Sequence, residues 1–124
     1  MLRIKAHGDF KHINTFFQRI KELFKSGILN KYGEQGVEAL KEATPVDTGE
    51  TAASWSYRIE HHNRGSSIIW ENSNIENGAC VALLIQYGHA TRSGTYVSGI
   101  DYINPALRPV FDRMADELWG EVTK

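Results

Sequence analysis

Apolar positions along this chain follow two different periods, and the change falls at Thr44-Pro45-Val46-Asp47-Thr48-Gly49. Before that point the spacing is helical. Phe10, Ile13, Phe16, Phe17, Ile20, Leu23 and Phe24 recur in steps of three and four, which places them on one helix face. Four phenylalanines on that stripe are a core signal rather than a cofactor signal. Gly27 marks an end or bend. Leu29, Tyr32, Val37, Leu40 and Ala43 continue with a second helical pattern. Gly33 and Gly36 weaken it, each by about 1 kcal/mol relative to alanine, unless they let another backbone approach closely. Ahead of both helices, Leu2, Ile4 and Ala6 alternate with Arg3 and Lys5 as a short strand.

After Gly49 the period becomes two. Trp55, Tyr57 and Ile59 alternate with polar neighbours and predict a half-buried strand. Asn63-Arg64-Gly65 is a turn, and Ser66 to Glu71 is the returning strand. Residues 72–78 read as a polar loop. Ala79 to Ile85, the longest apolar run at seven residues, fits a buried strand or a short helix. Gly88 to Gly99 reads as a mobile glycine-rich loop, with a last short strand somewhere in Tyr96 to Ile103. Asn104-Pro105 resembles an N-cap followed by proline at the first helical position. Leu107, Val110, Phe111, Met114, Leu118 and Val122 then line one face of a closing helix, whose regular part Pro109 postpones to about Arg108. This order predicts one α+β domain over residues 1–124. N-terminal helices precede an antiparallel sheet of three to four strands, and a C-terminal helix packs on that sheet.

The turn between the two periods has a local logic. Pro45 has no N–H and pushes Thr44 out of the helical region, so a helix reaching Ala43 stops there. Asp47 and Thr48 can bond nearby backbone N–H groups, and Gly49 can take a positive φ.

Composition changes this picture little. The chain is 41% hydrophobic and 23% charged, as expected of a soluble globular protein. Seven apolar residues do not span a bilayer, and the N-terminus lacks the apolar stretch of a signal peptide. The single cysteine, Cys80, excludes an internal disulfide; intracellular folding is the default expectation. The net charge of −1 hides an asymmetry. Residues 1–31 hold seven Lys/Arg and two Asp/Glu, whereas residues 32–124 hold seven and thirteen. Lys11, Arg19, Lys21 and Lys25 thus make the first helix basic. A neighbouring copy's acidic face is one partner for it, and solvent is the plainer alternative. Nucleic acid ranks third, because no aromatic-plus-basic cluster accompanies the charge.

A search for chemistry finds no complete set. His61 and His62 are adjacent on a strand and point to opposite faces, so they do not share an ion easily. His89, beside Gly88, is a candidate general base, with Asp47, Glu50 or Asp101 as its carboxylate. Yet Ser93 and Ser98 lack a nucleophile-elbow context. Cys80 in its apolar run reads as an inert small hydrophobe. No cofactor motif is present. Arg92 and Tyr96 are of residue types favoured at protein–protein contacts; they and His89 read as contact residues, and Tyr87 reads as core.

Three segments carry a resemblance. They are Ala43 to Gly49 followed by Ser54-Trp55; Ala82 to His89; and Gly99 to Phe111. In this order and spacing they resemble the minor tail-component family of long-tailed, non-contractile phages and prophages, whose members are tail-completion or head–tail joining proteins. The likeness covers nearly the whole chain. It implies a small α+β virion protein of the neck or tail top, made in the bacterial host cytoplasm, that acts by assembly and not by catalysis. Its implied partners are copies of itself in a ring and the neck, connector and tail-tube proteins, with no cofactor and no membrane. Pro45, Asp47, Gly49, Gly88, Asn104 and Pro105 become its structural turns. Where the family pattern usually has an acid, this chain has Gln86. A nucleic-acid-binding module and a His89-dependent hydrolase are the alternatives.

Overall fold

The computed structural model describes residues 2–5 (backbone only), 18–24, 27–46, 49–63 and 65–123. Lys11, Lys25, Asp47 and the Phe10 to Phe17 part of the apolar stripe lie outside the described residues. Among those described, strand β1 (Leu2–Lys5) comes first, followed by helix α1, described over residues 18–24, and helix α2 (Ile28–Ala43). A short helix α3 (Glu50–Ala53) leads into strands β2 (Trp55–His62) and β3 (Gly65–Asn72). These are joined in register from Trp55 opposite Asn72 to His62 opposite Gly65. Strand β1 adds to the other edge of β3, giving an antiparallel sheet of order β1-β3-β2.

Helix α2 lies between this sheet and the closing helix α5 (Ile103–Val122). The core is the seam they share. Phe24, Ile28, Leu29 and Tyr32 meet Ile68 from the sheet and Val110 and Met114 from α5, with Tyr57, Ile59, Trp70 and Leu118 packed around them. The alternation of β2 therefore points Tyr57 and Ile59 inward, as the period of two requires. Its other face carries Arg58, which pairs with Glu60 and, at 2.7 Å, with Glu71. Lys31 of α2 reaches Glu117 of α5 at 2.5 Å across the outer seam.

Gly33 and Gly36 are the cost of this packing in helix propensity, and side chains rather than backbone take the space. A Cβ on Gly33 would overlap the ring of Tyr57, and one on Gly36 would overlap that of Trp70. The close approach lets the Trp70 indole N–H donate to the Gly33 carbonyl at 2.9 Å.

The second half of the chain departs from its polar, glycine-rich appearance. Residues 72–78 are not wholly loop: strand β4 (Ile75–Glu76) pairs with β5 (Ala79–Cys80). The ambiguous apolar run divides, with β5 followed by helix α4 (Val81–Tyr87). The expected mobile loop 88–99 is a hairpin of β6 (Gly88–Ala90) and β7 (Tyr96–Ser98). Threonines close its tip: Thr91 N–H donates to the Thr95 carbonyl at 2.8 Å, and the two hydroxyls lie 2.6 Å apart. Helix α5 begins at Ile103, not near Arg108, and Pro109 lies inside it. The proline removes one N–H, and both Pro109 and Pro105, whose carbonyl loses that bond, are exposed to water. Among the described residues no helix is long and apolar enough to cross a membrane.

Candidate assembly interface

The three segments singled out in the sequence meet at one point. Thr44 ends α2: its N–H and hydroxyl both donate to the Leu40 carbonyl, at 2.9 and 2.5 Å, and it is buried. The Trp55 indole donates to the Thr44 hydroxyl at 2.8 Å, which ties the corner to the first residue of β2. Tyr102, 5% exposed, donates its hydroxyl to the Ala82 carbonyl in the first turn of α4 at 2.8 Å. Burial pushes the Tyr102 phenol up to about 12, with the nearby Cys80 adding to the rise and the Thr44 hydroxyl opposing it. The Tyr102 hydroxyl thus ties the second segment to the third, with the Thr44 hydroxyl of the first segment near it.

Gln86 makes the second tie. Its Oε1 accepts the backbone N–H groups of Tyr102 at 3.0 Å and Ile103 at 2.9 Å, the first free donors of α5. Its Nε2 donates to Asp101 Oδ1 at 2.7 Å. This corrects the expected cap. Tyr102, not Asn104, holds the N-cap position, and Asn104 lies one residue inside the helix, donating to Asp101 at 3.1 Å. Pro105 is at the third helical position, still within the first turn, where no N–H is required. The side chain from α4 supplies what Asn104 would have given.

Ala82 and Gln86 face inward because they are four residues apart on α4. Tyr87 is one step further and therefore points away. It is 69% exposed, against the core role expected of it; Tyr102 is the buried tyrosine. The Tyr96 hydroxyl donates to the Tyr87 carbonyl at 3.0 Å, and its ring is exposed. Gly49 takes the expected positive φ of 83°, and Gly88 takes the same value. At Gly88 a Cβ would also strike the Tyr96 hydroxyl and the Val97 carbonyl, so the hairpin can only close on glycine here.

Two apolar grooves flank α4. The first, about 410 Å³, lies between the 45–52 corner and the β6–β7 hairpin. Pro45, Val46, Leu84, Ile85, Val97 and Ile100 are its apolar walls; Asn74, Glu76 and His89 also line it. The second, about 560 Å³, runs between α4 and α5 over Trp55 and Trp70, with Leu83, Tyr87, Leu107 and Phe111 along it. Most of the exposed large apolar side chains, Val46, Leu83, Tyr87, Val97, Ile100 and Phe111, belong to these grooves. None of them was legible as exposed from sequence, because an apolar residue looks the same in a core and on a rim.

The other expected residues are distributed more widely. Arg92 is exposed near the hairpin tip. Arg19 and Lys21 are exposed on α1 and have no ion-pair partner among the described residues. Pro45 is exposed at the corner. His89 is half-buried on the first groove, its Nδ1 sealed and unbonded. It is not hydrogen-bonded to Asp101, whose Oδ1 is taken by Gln86 and Asn104. His61 and His62 sit across the hairpin from Ser66 and Ser67, at 2.9 and 3.2 Å. Among the described residues no three His, Cys, Asp or Glu side chains are grouped to hold a metal ion. Cys80 is half-buried, its Sγ 3.9 Å from the Asn72 carbonyl.

No protein-family model, curated protein or solved structure matches the chain.

Proposed function

We propose that this protein is a structural component of the phage neck or tail top, which completes the tail and joins it to the head through a ring of copies. One observation carries the reading: of the segments that resemble tail-completion proteins, 82–89 and 99–111 are hydrogen-bonded to each other, and Pro45, Val46 and Gly49 of the first segment line a groove with them beside α4. Most of the exposed large apolar side chains collect on both sides of that helix. Exposed apolar side chains gathered in this way offer a surface for a partner. Charge agrees with a copy-to-copy contact. Arg19 and Lys21 on α1 are free to meet the exposed Glu34, Glu38 and Glu42, which follow one another at four-residue spacing on α2 of the next copy. Self-association then weakens with salt, because exposed charges are screened beyond about 8 Å at physiological ionic strength.

The test is electron microscopy of virions lacking the protein. Heads and tails that fail to join support the reading, and particles of normal structure sink it.

A further inference from the structure

We infer that the contact between copies is a knob in a hole: Trp119 of one copy enters the groove beside His89 of the next. This deepens the copy-to-copy contact proposed above and rests on that reading for the ring alone.

Among the described residues three exposed large apolar side chains, Ile75, Tyr96 and Trp119, border neither groove, and Trp119 is the largest of them. It is 64% exposed near the end of α5. The other two tryptophans use their indole N–H, one on Thr44 and one on Gly33. That of Trp119 has no partner among the described residues. The groove has the reciprocal deficit. Neither ring nitrogen of His89 is bonded among the described residues, and only Nδ1 is sealed, which leaves Nε2 as the candidate acceptor. An indole is a donor only, while a neutral imidazole keeps one acceptor nitrogen. A groove of about 410 Å³ has room for one aromatic side chain. Val97 and Ile100 provide apolar walls for the ring.

Knob and hole cannot meet within one molecule. Helix α5 starts against α4, and Trp119 lies sixteen residues beyond Ile103, about 24 Å along the axis at 1.5 Å per residue. A knob at one end and a hole at the other make a head-to-tail contact, the kind that closes into rings. Charge orients the approach. Asp116 and Glu121 flank Trp119 at a helix C-terminus, itself partly negative. The hairpin beside the groove carries Arg92 and no acid. Glu76 lies on the β4 lip instead, so the acidic helix end turns toward the hairpin. One aromatic knob buries about 150–250 Å², well short of the roughly 800 Å² per partner of a stable interface. The free protein therefore associates weakly and concentration-dependently.

The experiment is sedimentation of the purified chain and two variants, Trp119→Ala and Ile100→Arg, alone and mixed. Both positions are exposed, and far-UV circular dichroism checks the fold; Trp119→Ser and Val97→Arg replace any variant that departs from it. Each variant alone should associate at least tenfold more weakly than the parent. Their mixture should form a 1:1 dimer, since the intact knob of one meets the intact hole of the other. A parent that stays monomeric to millimolar concentration overturns the inference, as does Trp119→Ala associating like the parent or a mixture that forms no dimer. Virions that lack the protein and still join, while the purified chain associates as described, remove the neck reading and leave the knob contact standing.

Discussion

Gln86 Oε1 lies 3.0 Å from the Tyr102 amide and 2.9 Å from that of Ile103, so a side chain from one helix caps the helix that follows it. The bond spans the hairpin between them and locks it to α5. It also explains why an amide suits this position: the carbonyl end faces helix donors, and the NH₂ end faces the Asp101 carboxylate.

Replacing Gln86 with alanine should destabilise the fold by about 1–2 kcal/mol, the usual cost of a lost N-cap. Gln86→Glu should also destabilise at neutral pH, because two carboxylates then meet where Nε2 met Asp101 at 2.7 Å. Adding Asp101→Asn should restore much of that loss. Thermal melts of the three variants decide it; a Gln86→Glu protein as stable as the parent would show that Asp101 swings away.

Tyr102 gives the fold an alkaline limit. Its phenol is raised from 10.0 to about 12, so the fold prefers the neutral form. That stability is fully present below pH 10 and is lost as pH rises toward 12. Denaturant midpoints should fall across this window in the parent, and the fall should be smaller in Tyr102→Phe. The variant should be weaker by about 1 kcal/mol at neutral pH, where it leaves the Ala82 carbonyl without its donor.

Gly36→Ala should destabilise rather than strengthen α2. In an open helix the change gains about 1 kcal/mol. Here the added Cβ overlaps the Trp70 ring, and displacement in a packed core costs about 1–3 kcal/mol. Urea titration of Gly36→Ala beside an exposed control, Gly120→Ala, separates the effects. The control has open space around its Cβ and should be neutral or better.

Reversing the charge of α1 with Arg19→Glu and Lys21→Glu should reduce self-association and its salt dependence while leaving the melting temperature nearly unchanged, since neither side chain has an ion-pair partner among the described residues. Association measured across a salt series tests it. Undiminished, salt-sensitive association would move the contact to other charges.

The sequence by itself determined the elements whose signal is periodic. The three- and four-residue steps ending at Ala43 define α2, the alternation from Trp55 defines β2, and Pro45 with Gly49 defines the corner between them. A repeating pattern averages over many residues, so one exception does not erase it. The 72–99 region offered no such average. Its strands are two or three residues long, held by pairing and by threonine bonds at the hairpin tip that no local pattern announces. Tertiary structure alone decided which apolar residues face water and that Gln86, not Asn104, caps α5. It also decided that the glycines of α2 admit aromatic rings. These are relations between residues distant along the chain. Their energies depend on distance and direction in space, which composition and spacing do not carry.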